Sequence, residues 1–252
     1  MIRMALSGVL SFALVGPALA APPAWRVDAA ASQSTLSKSL KPWQDQALVL
    51  TYRPDSQLWL SAAVERWQRF GFTDKVSRIQ IVRTLDHQSS VSIAASRSPN
   101  AAVRPTSSLQ FGYSTPQAFD QNGVWRWGGG FDLLVARYHT GQIRSFQPYV
   151  LLSAPHGIEA SLKLIETWDV SNHMLQGYLV AAEAPFAPRA RLRLSYADAP
   201  ESDSGHTIGT QSVSGTLSFD ANDLVTVRVT DTFESRELFD RNELGISLTR
   251  RF

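Results

Sequence analysis

The closing stretch "LGISLTRRF" (244–252) sets Leu244, Ile246 and Leu248 against Gly245, Ser247 and Thr249, and the pattern runs on through Arg251 to Phe252. Strand side chains have a period of two, so one face of this segment is apolar and the other polar. A soluble domain usually finishes in a few loose polar residues, because a chain end is poorly ordered unless something ties it down. A strand patterned to its last residue needs a paired neighbour and an apolar surrounding for its outward face. Both needs are met if the strand closes a barrel inside a membrane, where pairing of last with first leaves no edge.

The same alternation recurs upstream. "GVWRWGGGFDLLVARYH" (123–139) carries Trp125, Trp127, Phe131, Leu133 and Val135 on one face and Arg126 and Asp132 on the other. "LVTVRVTDTF" (224–233) sets Val225, Val227 and Val229 against Thr226, Arg228 and Thr230. "GIEASLKLIETW" (157–168) and "ARLRLSYADAP" (190–200) oppose Ile158, Leu162, Leu164, Leu192 and Leu194 to Glu159, Lys163, Arg191 and Arg193. A soluble sandwich also alternates, but these segments run to about 9–12 residues, the length of a tilted membrane crossing and longer than an ordinary strand. Aromatics (Trp59, Trp125, Trp127, Tyr138, Tyr149, Trp168, Tyr178, Tyr196, Phe219, Phe252) gather toward segment ends, where interfacial girdles lie. The expected fold is all-β: a transmembrane antiparallel β-barrel of about twelve strands between residues 57 and 252, closed by its C-terminal strand. Segment 47–54, "ALVLTYRP", also reads as a strand and would make the count odd.

The N-terminal end gives the compartment. Residues 1–20, "MIRMALSGVLSFALVGPALA", combine an early Arg3, a short interrupted apolar stretch and Ala18-Leu19-Ala20, the pattern of a cleaved signal peptide. Residues 21–46, rich in Ala, Pro and Ser without a sustained period, read as a flexible periplasmic leader before an outer membrane barrel at 47–252. With 24 Lys and Arg against 22 Asp and Glu, the chain is near neutral, which gives no support for nucleic-acid binding. The absence of cysteine excludes disulfides, thiolate metal sites and cysteine nucleophiles. No stretch after the first twenty residues has the run of about 20 apolar residues of a membrane helix, so any membrane crossing is made by strands.

Face assignment puts Arg78, Arg126, Lys163, Arg191, Arg193, Arg228 and Arg251 toward the lumen with Glu65, Asp132, Glu159 and Glu243. An interior of about twelve strands falls between a side-chain-filled barrel and a wide channel. The basic majority among these residues points to a narrow passage for small or anionic solutes.

Several stretches of the second half resemble the YaiO-type outer membrane β-barrel family: "ARYHTGQIRSFQP" (136–148), "ETWD" (166–169), "SYADAPE" (195–201) and "FESRELFDRNELGISLTRRF" (233–252). "RFGFTD" (69–74) and "SPNAAVRP" (98–105) fit less specifically. The resemblance spans about residues 47–252 and implies a non-enzymatic barrel. Some members are fused behind helical repeats or occur with exopolysaccharide export, so it implies a polysaccharide-export partner as well. The leader here is shorter than one helical repeat of about 34 residues. The resemblance also implies that Leu244, Ile246, Leu248 and the terminal Phe252 form the signal read by the barrel-assembly machinery. Arg250 stands where an aromatic is usual in the family.

The rival enzymatic reading is an outer membrane hydrolase of lipid or peptide. His139, His173 and His206 would share one rim, near Asp169, Ser171, Asp203 and Ser204, and triads are recognised by geometry and not order. All five histidines, with His87 and His156, fall at hairpin ends, where polar residues collect in any case. No metal-ligand spacing and no phosphate loop occurs, so no catalytic, metal or cofactor residue is assigned. Gly128–Gly130 reads as room for a bulky neighbour. "PESDSGH" (200–206) reads as an exposed outer loop, and "RELFDR" (236–241) as a solvated hairpin tip.

Overall fold

The computed structural model describes residues 24–85, 89–115, 118–119, 125–203 and 206–252, so residues 1–20, read above as a signal peptide, His87 and Ser204 lie outside the described residues. The strands are β1 (Trp25–Leu36), β2 (Trp43–Tyr52), β3 (Leu58–Arg69), β4 (Phe72–Thr84), β5 (Ser90–Arg97), β6 (Ser107–Ser114) and β7 (Ala118–Phe119). They continue with β8 (Arg126–Tyr138), β9 (Gly141–Ser153), β10 (Glu159–Trp168), β11 (Met174–Ala187), β12 (Ala190–Asp203), β13 (His206–Asn222), β14 (Val225–Arg236) and β15 (Asp240–Arg251). Every strand pairs antiparallel with its neighbour in sequence except at β7, a two-residue stub that pairs β8 beside the main β6–β8 ladder. Counting β6 and β7 as one wall strand, the fifteen elements give 15 − 1 = 14 strands.

The sheet closes on itself. β15 pairs β1 from Arg251 opposite Arg26 to Arg241 opposite Leu36, and the Phe252 amide donates to the Trp25 carbonyl at 2.9 Å. The twelve segments expected from the sequence are all present, and the even parity holds at fourteen. The correction is at the front: residues 25–46 are not a leader but β1 and the start of β2, and segment 47–54 belongs to the wall. The reason lies in the outward face of β1, Val27, Ala29, Ala31 and Gln33, which is too small and too polar to show an apolar period. Its neighbour supplies the bulk, since Ala29 and Ala31 pair with Leu248 and Ile246.

The outward face forms an apolar band. Val64, Ile79, Ile93, Val150, Leu194 and Ile246 are each more than half exposed, as befits side chains that meet hydrocarbon. Leu244, Leu248 and Phe252 lie on that face too, and the Arg250 guanidinium sits 4.8 Å from the Phe252 ring centroid. Of the aromatics read as girdle residues, Trp127, Tyr178, Tyr196 and Phe219 point outward, whereas the ladders put Trp59, Tyr138 and Tyr149 on the inner face. Tyr149 is accommodated by Gly130 across the ladder, where a Cβ would stand 2.6 Å from its hydroxyl. Of the three glycines, Gly130 is the one that makes room for a bulky side chain, while a Cβ at Gly129 would meet the Tyr149 backbone carbonyl.

Hairpins at 37–42, 70–71, 98–106, 139–140, 169–173 and 237–239 lie at one end, called distal, and residues 25 and 252 lie at the other. The β3–β4 turn is two residues, Phe70 (φ 51°) and Gly71 (φ 84°). Both have positive φ, the hairpin geometry whose twist matches the flanking strands. A bulky residue rarely accepts that φ. Here the Phe70 ring is held edge-on to Trp43 and Phe239, at 5.1 and 6.2 Å between centroids.

Candidate functional site

The inner face changes character along the axis. At mid-height it carries small residues, Ala30, Ala63, Ser161, Ser195 and Ser247, which are half-buried or exposed although they face the lumen. Toward the distal end the same face is buried, and its residues are large: Trp43, Trp67, Arg69, Glu234, Arg236 and Arg241. Buried inner residues also occur at mid-height (Ala181) and toward the other end (Thr51, Ser153, Thr226, Thr249), so what sets the distal mouth apart is the size and charge of the side chains that fill it.

The stopper is a stack of cations and rings. Arg69 lies 4.5 Å from the Trp43 ring and 4.6 Å from the Trp67 ring, and Arg104 lies 4.0 Å from the Trp67 ring. Arg236 and Arg241 stand 5.3 and 5.2 Å from the Trp43 ring. A guanidinium over an indole is attracted by the ring quadrupole, the more so when water is excluded. Buried cations also need carboxylates. Asp45 pairs Arg69 at 2.8 Å, Glu234 bridges Arg236 and Arg241, Glu201 pairs Arg236, and Glu243 accepts from Arg241 (3.3 Å) and Ser34 (2.8 Å).

The loop between β5 and β6, residues 98–106, folds into this mouth. Ala101 and Val103 are 2% and 4% exposed. Their backbone is held by Asp74 of β4, 2% exposed, whose carboxylate accepts the amides of Ala102 (2.8 Å), Val103 (2.9 Å) and Arg104 (2.7 Å). Burial, and after it the neighbouring Arg69, push the Arg104 guanidinium below the ordinary arginine range, opposed by Tyr138, Glu65 and Asp45. Beneath the loop a pocket of about 50 Å³ remains, lined by Glu65, Arg78, Arg104, Ser96, Ser108 and Gln110, enough for a few water molecules. Arg78 donates to Gln110 there at 3.1 Å.

The charges assigned to the lumen from the sequence have these settings. Lys163 pairs Asp132 at 2.7 Å, Arg191 and Arg193 both approach Glu183, and Arg228 donates to Thr249 at 2.9 Å. Glu159 and Arg126 are both register partners of Ser153, which puts them in one row. Arg251 donates to Thr226 at 3.2 Å, and Glu243 belongs to the distal cluster. Further charges share the inner face, Asp28, Asp45, Asp74, Glu183, Glu201 and Glu234 against Arg26, Arg69, Arg236 and Arg241, so the basic majority expected of the lumen shrinks toward balance.

Two expectations are corrected. "RELFDR" is a solvated tip only in part: Glu237, Leu238 and Asp240 are exposed, but Arg236, Phe239 and Arg241 are buried in the mouth. Residues 200–203 extend β12 instead of forming a loop, and Glu201 reaches Arg236. Trp43, Trp67 and Arg69 were not singled out from the sequence. Their signal was available, since all three sit at odd positions on the polar face of their segments, where a tryptophan has no lipid to meet.

The histidines do not assemble a catalytic set among the described residues. His173 Nδ1 stands 3.8 Å from Asp169, beyond hydrogen-bonding distance, at an exposed hairpin. That carboxylate is engaged by the backbone amides of Ser171 and His173.

No family model and no curated protein matches the chain. Solved structures do. CymD, described as a monoaromatic hydrocarbon channel, aligns with a TM-score of 0.54 at 10% identity, over 92% of this chain and 89% of its own. A bacterial polysaccharide outer membrane secretin aligns with a TM-score of 0.53 at 12% identity, over 92% of this chain and 100% of its own. At such identities the likeness is one of fold: this is an antiparallel closed barrel of the outer membrane type.

Proposed function

We propose that the chain is a non-enzymatic outer membrane barrel, exported by a cleaved signal peptide, with its distal end facing the exterior. It acts as a narrow passage for small hydrophilic solutes and is held shut at its outer mouth. The observation that carries this reading is the contrast along the inner face between small side chains at mid-height and the large buried side chains of the Arg–Trp stopper. A lumen of hydroxyls and paired charges supports a saccharide-like or acidic solute over a hydrocarbon, nearer to the polysaccharide named for the second similar fold than to the ligand named for CymD. Membership of the YaiO-type barrels, a polysaccharide-export partner and recognition of Leu244, Ile246, Leu248 and Phe252 by the barrel-assembly machinery belong to the same reading, which needs no cofactor. The hydrolase alternative gains nothing from the exposed His173–Asp169 approach.

Liposome swelling with neutral and acidic saccharides tests the passage. Slow swelling with the wild-type protein and faster swelling with Asp74→Ala are expected. Swelling in neither would remove the passage function while leaving the barrel intact.

A further inference from the structure

We propose that the outer surface of β3 to β9, just distal to the apolar band, is a binding site for the phosphorylated headgroup of an outer-leaflet glycolipid. The inference rests on the outer membrane orientation given above. Five cations meet on this surface: Arg66, Lys75, Arg97, Arg137 and Arg144. Each alternates with inward residues, as Arg66 does with Glu65 and Trp67, and each is exposed. The ladders make them contiguous. Arg66 is the direct partner of Lys75, and Ser77 pairs Arg97, which leaves Lys75 one diagonal away. Ser107 pairs both Arg97 and Arg137, and Val135 pairs Arg144, again one diagonal from Arg137.

Inside the barrel, cations such as Arg69, Lys163, Arg236 and Arg241 have carboxylate partners. On the outer stripe, among the described residues, none of the five makes a salt bridge or a side-chain hydrogen bond. Like charges directly opposite on neighbouring strands are destabilising, and Arg66 faces Lys75 in that way. An anion between them reverses the sign of that interaction.

The stripe is also one-sided. At the corresponding outward positions of the opposite wall, beyond Leu164, Tyr196 and Val229, stand Glu166, Asp198 and Asp231. Basic residues that merely anchored the barrel at an interface would ring it. Guanidinium groups suit phosphate, which they bind in bidentate fashion, and diagonal strand positions about 7–8 Å apart let neighbouring cations share one diphosphorylated headgroup. Directly below the stripe, exposed Val64, Ile93 and Val135 offer the acyl chains an apolar wall, which a free phosphate would not use.

The test uses the refolded full-length barrel in neutral detergent, titrated with diphosphoryl lipid A, dephosphorylated lipid A and inorganic pyrophosphate, with bound species counted by native mass spectrometry. Diphosphoryl lipid A is expected to bind at least about tenfold tighter than either comparator. The variant Arg66→Gln/Lys75→Gln/Arg97→Gln/Arg137→Gln/Arg144→Gln should lose that preference, and Glu166→Gln/Asp198→Asn/Asp231→Asn should keep it. Equal binding of the two lipids, pyrophosphate binding as tightly as the lipid, or preference retained in the five-fold variant would overturn the proposal, with heat-modifiable gel mobility showing the barrel intact. A wild-type chain that never reached the heat-modifiable form would overturn the barrel reading, and this site with it.

Discussion

Asp74 offers the sharpest handle on the mouth. Its carboxylate accepts three amides of one loop, from Ala102, Val103 and Arg104, at 2.8, 2.9 and 2.7 Å. A hydrogen bond to a charged group contributes about 1.5–3 kcal/mol net, and an opened loop regains water for its amides, so the low end applies. Three such bonds at about 1.5 kcal/mol give roughly 4.5 kcal/mol holding the loop inside, a bias of about three decades at 1.4 kcal/mol per decade. Asp74→Ala removes all three. Asp74→Asn keeps one acceptor oxygen and turns an amino group toward a donor, so it should lose about half as much. Hydrogen exchange read by mass spectrometry on a peptide spanning 98–106 measures the effect directly. Protection of those amides should fall by two to three decades in Asp74→Ala, and by less in Asp74→Asn, while the strands keep theirs. Unchanged protection in Asp74→Ala, or a loss spread evenly over the barrel, would refute the assignment of Asp74 as the latch.

Three further outcomes follow from the same structure. Because the chain has no cysteine, Ala31→Cys/Ile246→Cys introduces the sole thiol pair across the β1–β15 seam, and a disulfide should form and survive heating as a shifted gel band; failure of that pair to link would reopen the reading of residues 21–46 as a free leader. Glu234→Ala leaves Arg236 and Arg241 short of their shared carboxylate and should lower barrel stability by about 3–5 kcal/mol in urea titrations, whereas an unshifted midpoint would mean the cluster is not buried in solution. Deleting Phe252 costs the folded barrel one backbone hydrogen bond, about 1 kcal/mol, so unfolding should barely change while the rate of membrane assembly drops; equal effects on both would count against an assembly signal.

The barrel was legible because its outward face is written in alternation. Val225, Val227 and Val229, or Leu244, Ile246 and Leu248, can be read without a structure, since lipid asks the same thing of every strand. β1 escaped because Ala29 and Ala31 borrow their apolar cover from Leu248 and Ile246 across the seam, a cooperation between the two ends of the chain that no local window contains. The mouth escaped for a related reason. Arg69, Trp43, Arg104 and Arg236 come from β3, β2, a loop and β14, and each alone resembles a solvated charge or a girdle aromatic. Only closure of the sheet brings them within stacking distance. The inward-folded loop 98–106 reads as an ordinary polar connection until Asp74, some 28 to 30 residues earlier, is seen to hold it.

Single-channel recording in planar bilayers tests the central claim that the lumen is a passage held shut at its outer mouth. Wild-type protein should be silent or nearly so, and Asp74→Ala should show discrete conductance steps under the same voltage and salt. Identical traces from the two proteins, whether both silent or both open, would contradict it.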